Sequence, residues 1–294
     1  MKISLFNKEI LIKSLGCSNG SISPQLIPPS VNIFVKTTNG CNARCLFCSN
    51  EKLKNQKIKF NHNKFWQIVD ELKNKEILIN RVNITGGEPS TVAELVEQIL
   101  EKACEVEYSD LHLHLNTNGL LASSQKLMRH TRWNSISISL HHYNSDYLSK
   151  LYRVNIKEEA FNFTGIDINK VNGSCNLIRG YIDSPKEVEM MLMYAVKLGL
   201  PRLGFVSLMK INEFCKKHYV DFSEIDFESI SHLYFTESKN RGLDCKCSNY
   251  LYNHDGKILE VYMRNYSNPN YCESSLLYDG QFLRQGFHND NIIF

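Results

Sequence analysis

Runs of β-branched and apolar residues alternate along this chain with stretches whose apolar positions recur every three or four residues. "VNIFVK" (31–36) reads as a strand and leads directly into a cysteine-rich loop. "NKFWQIVDELKNK" (63–75) places Phe65, Ile68, Val69 and Leu72 at helical spacing. "ILINRVNIT" (77–85) predicts the next strand, and "STVAELVEQILEKACE" (90–105) a helix that opens on a Ser-Thr cap. "LHLHLNTNG" (111–119) alternates as a strand and ends in a turn. "SISISL" (135–140), "CNLIRGYI" (175–182) and "RLGFVSLM" (202–209) predict further strands. Between the last two, "SPKEVEMMLMYAVKLG" (184–199) reads as a helix with Ser184 as cap, Pro185 in the first turn and Gly199 as stop.

Six strands separated by helical stretches predict a parallel α/β architecture. The pattern is weak over 140–174, where no helix can be placed. Beyond about 210 it changes character. "DFSEIDFESISHLY" (221–234) suggests a short helix. "SNYLYNHDGKILEVYMRNYS" (248–267) reads as a hairpin turning at Asp255-Gly256. The expected organisation is a lead-in over 1–30, an α/β domain over 31–210 and a smaller α+β extension over 211–294.

Composition narrows the class of protein without naming a function. The chain has 294 residues, 43% hydrophobic and 22% charged, enough for a sizeable core. Its 34 basic and 31 acidic residues leave a formal charge of +3, too balanced to argue for a nucleic-acid surface. The opening "MKISLFNKEILIKSLGCSNG" carries one short apolar run broken by Asn7, Lys8 and Glu9, unlike a signal peptide. No run approaches the roughly 20 apolar residues of a membrane span. The expectation is a cytoplasmic protein without membrane or nucleic-acid partners.

Clustered thiols in a reducing compartment are more often metal ligands or catalytic groups than disulfides. Six of the ten cysteines fall into two groups: Cys41, Cys45 and Cys48, and Cys245, Cys247 and Cys272. The first group has the spacing Cys-x3-Cys-x2-Cys. A structural zinc site uses four protein ligands, commonly in paired Cys-x2-Cys units. Thiolates also hold iron–sulfur clusters. Three thiolates on a four-iron cluster leave one iron open to another ligand.

The stretch "CNARCLFC" after the first strand resembles the cluster motif of the radical S-adenosylmethionine (SAM) enzymes. "VNITGGEPS" adds a second resemblance, because Gly86-Gly87-Glu88-Pro89 at the end of its strand matches that family's GGEP motif. The resemblance covers roughly 31–210 and implies a partial (β/α)6 barrel. It implies a [4Fe-4S] cluster on Cys41, Cys45 and Cys48 whose open iron chelates SAM. Reductive cleavage of SAM then yields a 5′-deoxyadenosyl radical that abstracts hydrogen from a substrate. A flavodoxin or ferredoxin is the implied reductant. Residue by residue, the GGEP stretch is assigned to the SAM amino group and Phe47 to the adenine. Asn116, Thr117 and Asn118 at the third strand's end become candidate SAM contacts. Ser139 and His141 follow at the fourth strand's end, and Arg179 in the fifth strand is a candidate for the SAM carboxylate.

The second cysteine group resembles the auxiliary-cluster extensions called SPASM or twitch domains, in the shorter twitch form. It departs from their usual spacing, with Cys-x-Cys followed by a gap of 24 residues before Cys272. Cys215 is a candidate fourth ligand of an auxiliary [4Fe-4S] cluster, and Arg264, Tyr262, Tyr266 and Arg284 near this region are candidates either for a substrate pocket or for the surface. The expected substrate is a biosynthetic small molecule, since about 30 residues before the first strand leave little room for a peptide-recognition domain. A peptide-modifying maturase is the alternative enzyme. A non-catalytic iron–sulfur electron carrier is the alternative from another class, and it would need no GGEP strand end. His112 and His114 share one strand face, where polar packing is the expected role.

Overall fold

The computed structural model describes residues 2–12, 29–50, 57–238, 247–264, 275–286 and 291–294. Two short strands, β1 (Lys2–Leu5) and β2 (Lys8–Leu11), form a hairpin of their own. Six parallel strands follow: β3 (Ser30–Thr38), β4 (Leu78–Gly86), β5 (Leu113–Thr117), β6 (Ser135–Ser139), β7 (Val171–Leu177) and β8 (Arg202–Ser207). They lie side by side in chain order, as expected of an α/β protein. Helices α1 (His62–Asn74), α2 (Ala93–Lys102), α3 (Ala122–Met128), α4 (Ser145–Tyr152), α5 (Pro185–Lys197) and α6 (Glu213–Lys217) connect or follow them.

The caps are those the sequence offers. Ser184 Oγ accepts from the Glu187 amide, with Pro185 at the first position of α5. Asn61 caps α1 in the same way, accepting from the Lys64 amide. The unplaced region contains α4, which Asn144 caps by accepting from the Asp146 and Tyr147 amides. Arg153 ends α4 at φ 54°, in the left-handed region. Eight residues with a polar cap and an abrupt stop give too little periodicity to read from sequence. The stretch over 221–234 forms two 3-10 turns, Phe222–Glu224 and Phe227–Ser229, instead of one short helix.

The C-terminal extension joins the edges of the same sheet. Strands β9 (Leu233–Ser238), β10 (Ser248–His254) and β11 (Lys257–Arg264) form a meander, with Asp255 and Gly256 at φ 50° and 75° making the expected hairpin turn. β11 then pairs in parallel with β8. At the opposite edge, β12 (Ser275–Tyr278) pairs in parallel with β3 and turns back as β13 (Leu283–Gln285). The eleven-stranded order is β13-β12-β3-β4-β5-β6-β7-β8-β11-β10-β9.

The two faces of this sheet differ in kind. Val31, Ile33 and Val35 on β3, Val82 and Ile84 on β4, Leu113 and Leu115 on β5, and Ile136 and Ile138 on β6 are buried in the main core. Leu203, Phe205, Val261 and Met263 continue it beneath α5. Their alternating neighbours are mostly polar: Asn32, Lys36, Arg81, Asn83, Thr85, His114, Asn116, Ser137, Ser139, Asn172, Ser174 and Asn176, with Phe34 the apolar exception on β3. Packed parallel-barrel interiors are filled with bulky branched residues. A face of amides and hydroxyls is built to meet a polar ligand. Among the described residues no helix is long and apolar enough to cross a membrane.

Near the start of β5, His112 Nε2 and His114 Nδ1 lie 2.9 and 2.7 Å from the Ser135 hydroxyl. Burial, reinforced by the charge of Arg81, pushes the His114 imidazole down to about 3. Burial alone holds His141 at about 3 and His142 at about 4. These folded values lie below the ordinary 6.5, so the unfolded chain binds protons that the native chain refuses. Stability therefore falls as pH drops from about 6.5 toward about 4. Urea midpoints at pH 7 and pH 5 should show this loss, and His114→Gln should make it smaller.

Candidate active site

The cysteine loop leaves β3 at Thr38 and is fastened on both flanks. The Arg44 and Leu46 amides donate to the Tyr152 and Leu151 carbonyls, each at 2.9 Å, so the loop sits on the end of α4. The Cys48 amide closes a turn on the Cys45 carbonyl. Asn50 Nδ2 donates to the Gly86 carbonyl at 2.7 Å, and Asn50 Oδ1 accepts from Lys36 Nζ at 2.9 Å. All three cysteines are half-buried and unbridged. Cys41 Sγ accepts from the Ala43 amide at 3.4 Å, and Cys48 Sγ from the Asn50 amide at 3.3 Å.

The glycine-rich stretch packs directly against the base of that loop. The Gly87 amide donates to the Thr38 carbonyl and the Glu88 amide to the Gly40 carbonyl, at 2.7 and 2.8 Å. A Cβ on Gly86, at φ 144°, would stand 2.3 Å from the Thr38 carbonyl oxygen, and one on Gly87 would stand 2.0 Å from that of Gly40. Both glycines are thus demanded first by the chain's own backbone. Glu88 is 1% exposed. Its Oε1 accepts from the Ser90 amide, the Ser90 hydroxyl and the Thr117 hydroxyl, at 3.1, 2.8 and 2.7 Å. Its Oε2 accepts from the Asn118 amide at 2.7 Å. Pro89 begins the 3-10 turn Pro89–Val92 that Glu88 caps. Asn118 Nδ2 in turn donates to Asn42 Oδ1 at 2.8 Å, inside the cysteine spacing.

An aromatic wall stands on the next strand end. The Phe47 ring meets His141 edge-on at 4.6 Å, and Tyr152 packs against both. His141 Nδ1 accepts from the Asn176 amide at 3.0 Å, which leaves the proton of the neutral ring on Nε2. The Tyr152 hydroxyl donates to the Ser139 carbonyl at 2.8 Å.

The structure therefore brings together Cys41, Cys45, Cys48, Phe47, the GGEP stretch, Asn118, Ser139 and His141, and sets Asn116 on the polar face of β5. One expectation is corrected. Arg179 does not lie in a strand: β7 ends at Leu177, and the Ile178 amide turns back to the Ile182 carbonyl with Gly180 at φ 82°. Its guanidinium pairs with Glu224 at the surface instead of reaching the site. Cys215, a candidate fourth ligand for the second cysteine group, lies beside the loop that carries the first. It is buried, with its sulfur 3.8 Å from the Phe47 carbonyl oxygen. Asn212 holds it there, accepting from the Cys215 amide and donating to the Leu46 carbonyl. Cys247 is buried just before β10, whereas Cys245 and Cys272 fall outside the described residues. Asn42, Asn50, Tyr152 and Asn212 were not read as site residues. The first two are polar residues in or beside the cysteine spacing, which is a usable signal. The other two lie in regions of weak pattern.

The donor set, three half-buried and unbridged thiols carried on one loop, suits an iron–sulfur cluster, in which each thiolate binds a separate iron. Backbone N–H bonds to two of the sulfurs suit thiolate ligands, whose potential such bonds tune.

A family model of the radical SAM superfamily matches residues 35–211, and the chain belongs to that superfamily. Membership implies a [4Fe-4S] cluster and SAM. A probable GTP 3′,8-cyclase of Saccharolobus islandicus is 24% identical over 276 residues, covering 90% of this chain and 85% of that protein. The corresponding protein of Saccharolobus solfataricus is 24% identical over 279 residues with the same coverage. Among solved structures, a radical SAM methyltransferase from Sphaerobacter thermophilus superposes with a TM-score of 0.51 at 16% identity, over 69% of this chain and 62% of that one. SuiB of Streptococcus suis bound to precursor peptide SuiA gives 0.50 at 16% identity, over 65% of this chain and 42% of SuiB. The chain thus spans less than two thirds of either solved structure, and the likeness is one of fold.

Glu88→Gln replaces an acceptor with an amide donor facing buried N–H and O–H groups. It should cost about 1–3 kcal/mol of stability, read from urea unfolding, and loosen the contact between the cysteine loop and β5. An unchanged midpoint would contradict this account of the network.

Proposed function

We propose that Cys41, Cys45 and Cys48 hold the SAM-binding cluster and that this chain carries out a radical modification of a small biosynthetic molecule. The observation that carries this reading is the meeting of two motifs separated by some forty residues of chain. The GGEP turn is bonded to the entry of the cysteine loop, and Asn118 ties the end of β5 to Asn42. An electron carrier has no need for a buried carboxylate that locks two strand ends together beside its thiols. When bound, the cluster supplies the electron that cleaves SAM into methionine and a hydrogen-abstracting 5′-deoxyadenosyl radical.

The protein's own residues then have separable tasks. The three cysteines bind irons and leave one position open. The strand ends carrying Gly86, Gly87, Glu88, Asn116, Asn118 and Ser139 offer amides, hydroxyls and carbonyls to the polar groups of SAM. Glu88 works here chiefly as a brace, because its carboxylate already accepts four internal bonds. Phe47, His141 and Tyr152 supply an apolar wall that keeps water from a reactive intermediate. His141, held neutral by burial, adds no charge to that wall.

The region over 31–210 is read as the catalytic barrel and 211–294 as a twitch-like extension that holds an auxiliary [4Fe-4S] cluster through Cys245, Cys247 and Cys272. Such a cluster would take up an electron from a substrate radical or anchor the substrate. A flavodoxin or ferredoxin remains the proposed reductant. Similarity to probable GTP 3′,8-cyclases over most of both chains favours a small-molecule substrate. The likeness to SuiB bound to a precursor peptide extends to fold alone, so a peptide substrate is the weaker reading.

Iron and sulfide content after anaerobic reconstitution tests the cluster assignment. Two four-iron clusters give about eight irons per chain, falling to about four in a Cys41/Cys45/Cys48→Ala variant. About four irons falling to none would remove the auxiliary cluster and favour a redox-neutral hydrogen abstraction. Iron retained in full by the variant would overturn the assignment of the first group.

A further inference from the structure

The polar face of the sheet continues past the motif-bearing strands onto β7, β8 and β11, beyond the residues assigned to SAM. Register fixes which side chains meet there. Arg202 stands between Asn172 and Glu260, Gly204 between Ser174 and Tyr262, and Val206 between Asn176 and Arg264. The Arg202 guanidinium reaches Asn172 Oδ1 at 3.2 Å and Glu260 Oε2 at 3.1 Å, confirming that these side chains share one face.

Charge on this face is one-sided. Strands β3 to β8 and β11 contain a single carboxylate, Glu260. It is engaged by Arg202 and by the Tyr262 hydroxyl. Against it stand Lys36, Arg81, Arg202 and Arg264. Lys36 is occupied with Asn50, near Asp279. Arg264 has no carboxylate partner among the described residues. Its orientation is nonetheless fixed. Nη1 donates to Asn249 Oδ1, the Met263 carbonyl and the Ser248 carbonyl at 3.0, 3.1 and 3.4 Å, and the guanidinium lies 4.9 Å from the Tyr262 ring centre. All three bonds use one nitrogen. Among the described residues Nε and Nη2, the edge that matches a carboxylate or phosphate in two parallel bonds, meet no acceptor.

Gly204 supplies room beside this group. A Cβ there would find nothing closer than 3.8 Å, so the glycine answers no internal crowding. It leaves a gap in the row between Ser174 and Tyr262. A half-buried, pre-oriented guanidinium above the Tyr262 ring, beside a gap that Ser174 flanks on the other side, is suited to an oxyanion on a polar molecule.

We propose that Arg264 binds the carboxylate or phosphate of the substrate, with Tyr262 as its platform and the Gly204 gap as the adjoining subsite. The proposal rests on the radical SAM reading, in that it places substrate on the face where the motif strands end. Pyrophosphate and malonate, titrated calorimetrically into anaerobically reconstituted, SAM-saturated enzyme, test it. At least one should bind saturably, and Arg264→Gln should weaken it by about tenfold or more, as expected for loss of a charge-assisted forked pair. Arg264→Lys should fall between, and Arg129→Gln, at an exposed position after α3, should match wild type. Tighter pyrophosphate indicates a phosphate ester, and tighter malonate a carboxylate. Absence of binding by both anions, equal affinity in Arg264→Gln, or competition by SAM would overturn the proposal. Reductive SAM cleavage by the same preparations keeps the two readings apart. Cleavage without anion binding sinks only this site, and anion binding without cleavage sinks only the radical reading.

Discussion

The Glu88 carboxylate is the constraint on which the site depends. A buried anion is tolerated only when donors replace its water, and here four protein donors do so. They come from the turn that follows β4 and from the end of β5. Satisfying one charge therefore fixes the relative position of two strand ends. The adjoining glycines let the same turn close onto the base of the cysteine loop, where no Cβ fits. Asn118 carries the linkage on to Asn42, between the first two cysteines. The thiols are held by a chain of short polar contacts, not by the loop's own stiffness.

That arrangement follows from how the sheet divides its labour. One face is a continuous apolar core under the helices. The other presents amides, hydroxyls and a few cations, and it would be a poor core but makes a hospitable ligand surface. The C-terminal strands extend this division. β11 and β12 pair in parallel with β8 and β3, so the region after 210 widens the same sheet at both edges. Cys215 and Asn212, immediately after β8, clasp the outside of the cysteine loop.

Much of this was legible in the sequence. The six parallel strands follow from β-branched alternation, and the two motifs fall at strand ends where ligands of such sheets bind. Long-range pairing was not legible. Nothing local in "KILEVYMR" says that its partner is β8 as well as β10. The break at Asn7, Lys8 and Glu9 reads only as an interruption, whereas the structure makes it a hairpin, with Phe6 and Asn7 at positive φ. Arg179 was misplaced because an apolar run continued past the true strand end, where Gly180 permits the turn. That Cys215 is buried against the Phe47 carbonyl was not legible either, because its place just after the sixth strand says nothing of the cysteine loop that it packs on. The role of Glu88 was half visible: its motif pointed to SAM, while its four internal donors emerge only in three dimensions.

The most direct test of the central claim is formation of 5′-deoxyadenosine from SAM by the reconstituted, dithionite-reduced protein under strictly anaerobic conditions, measured by mass spectrometry. The account predicts 5′-deoxyadenosine from wild type and none above background when Cys45 is replaced by alanine. Equal yields from the two proteins, or none from a wild-type protein that carries its full iron complement, would contradict it.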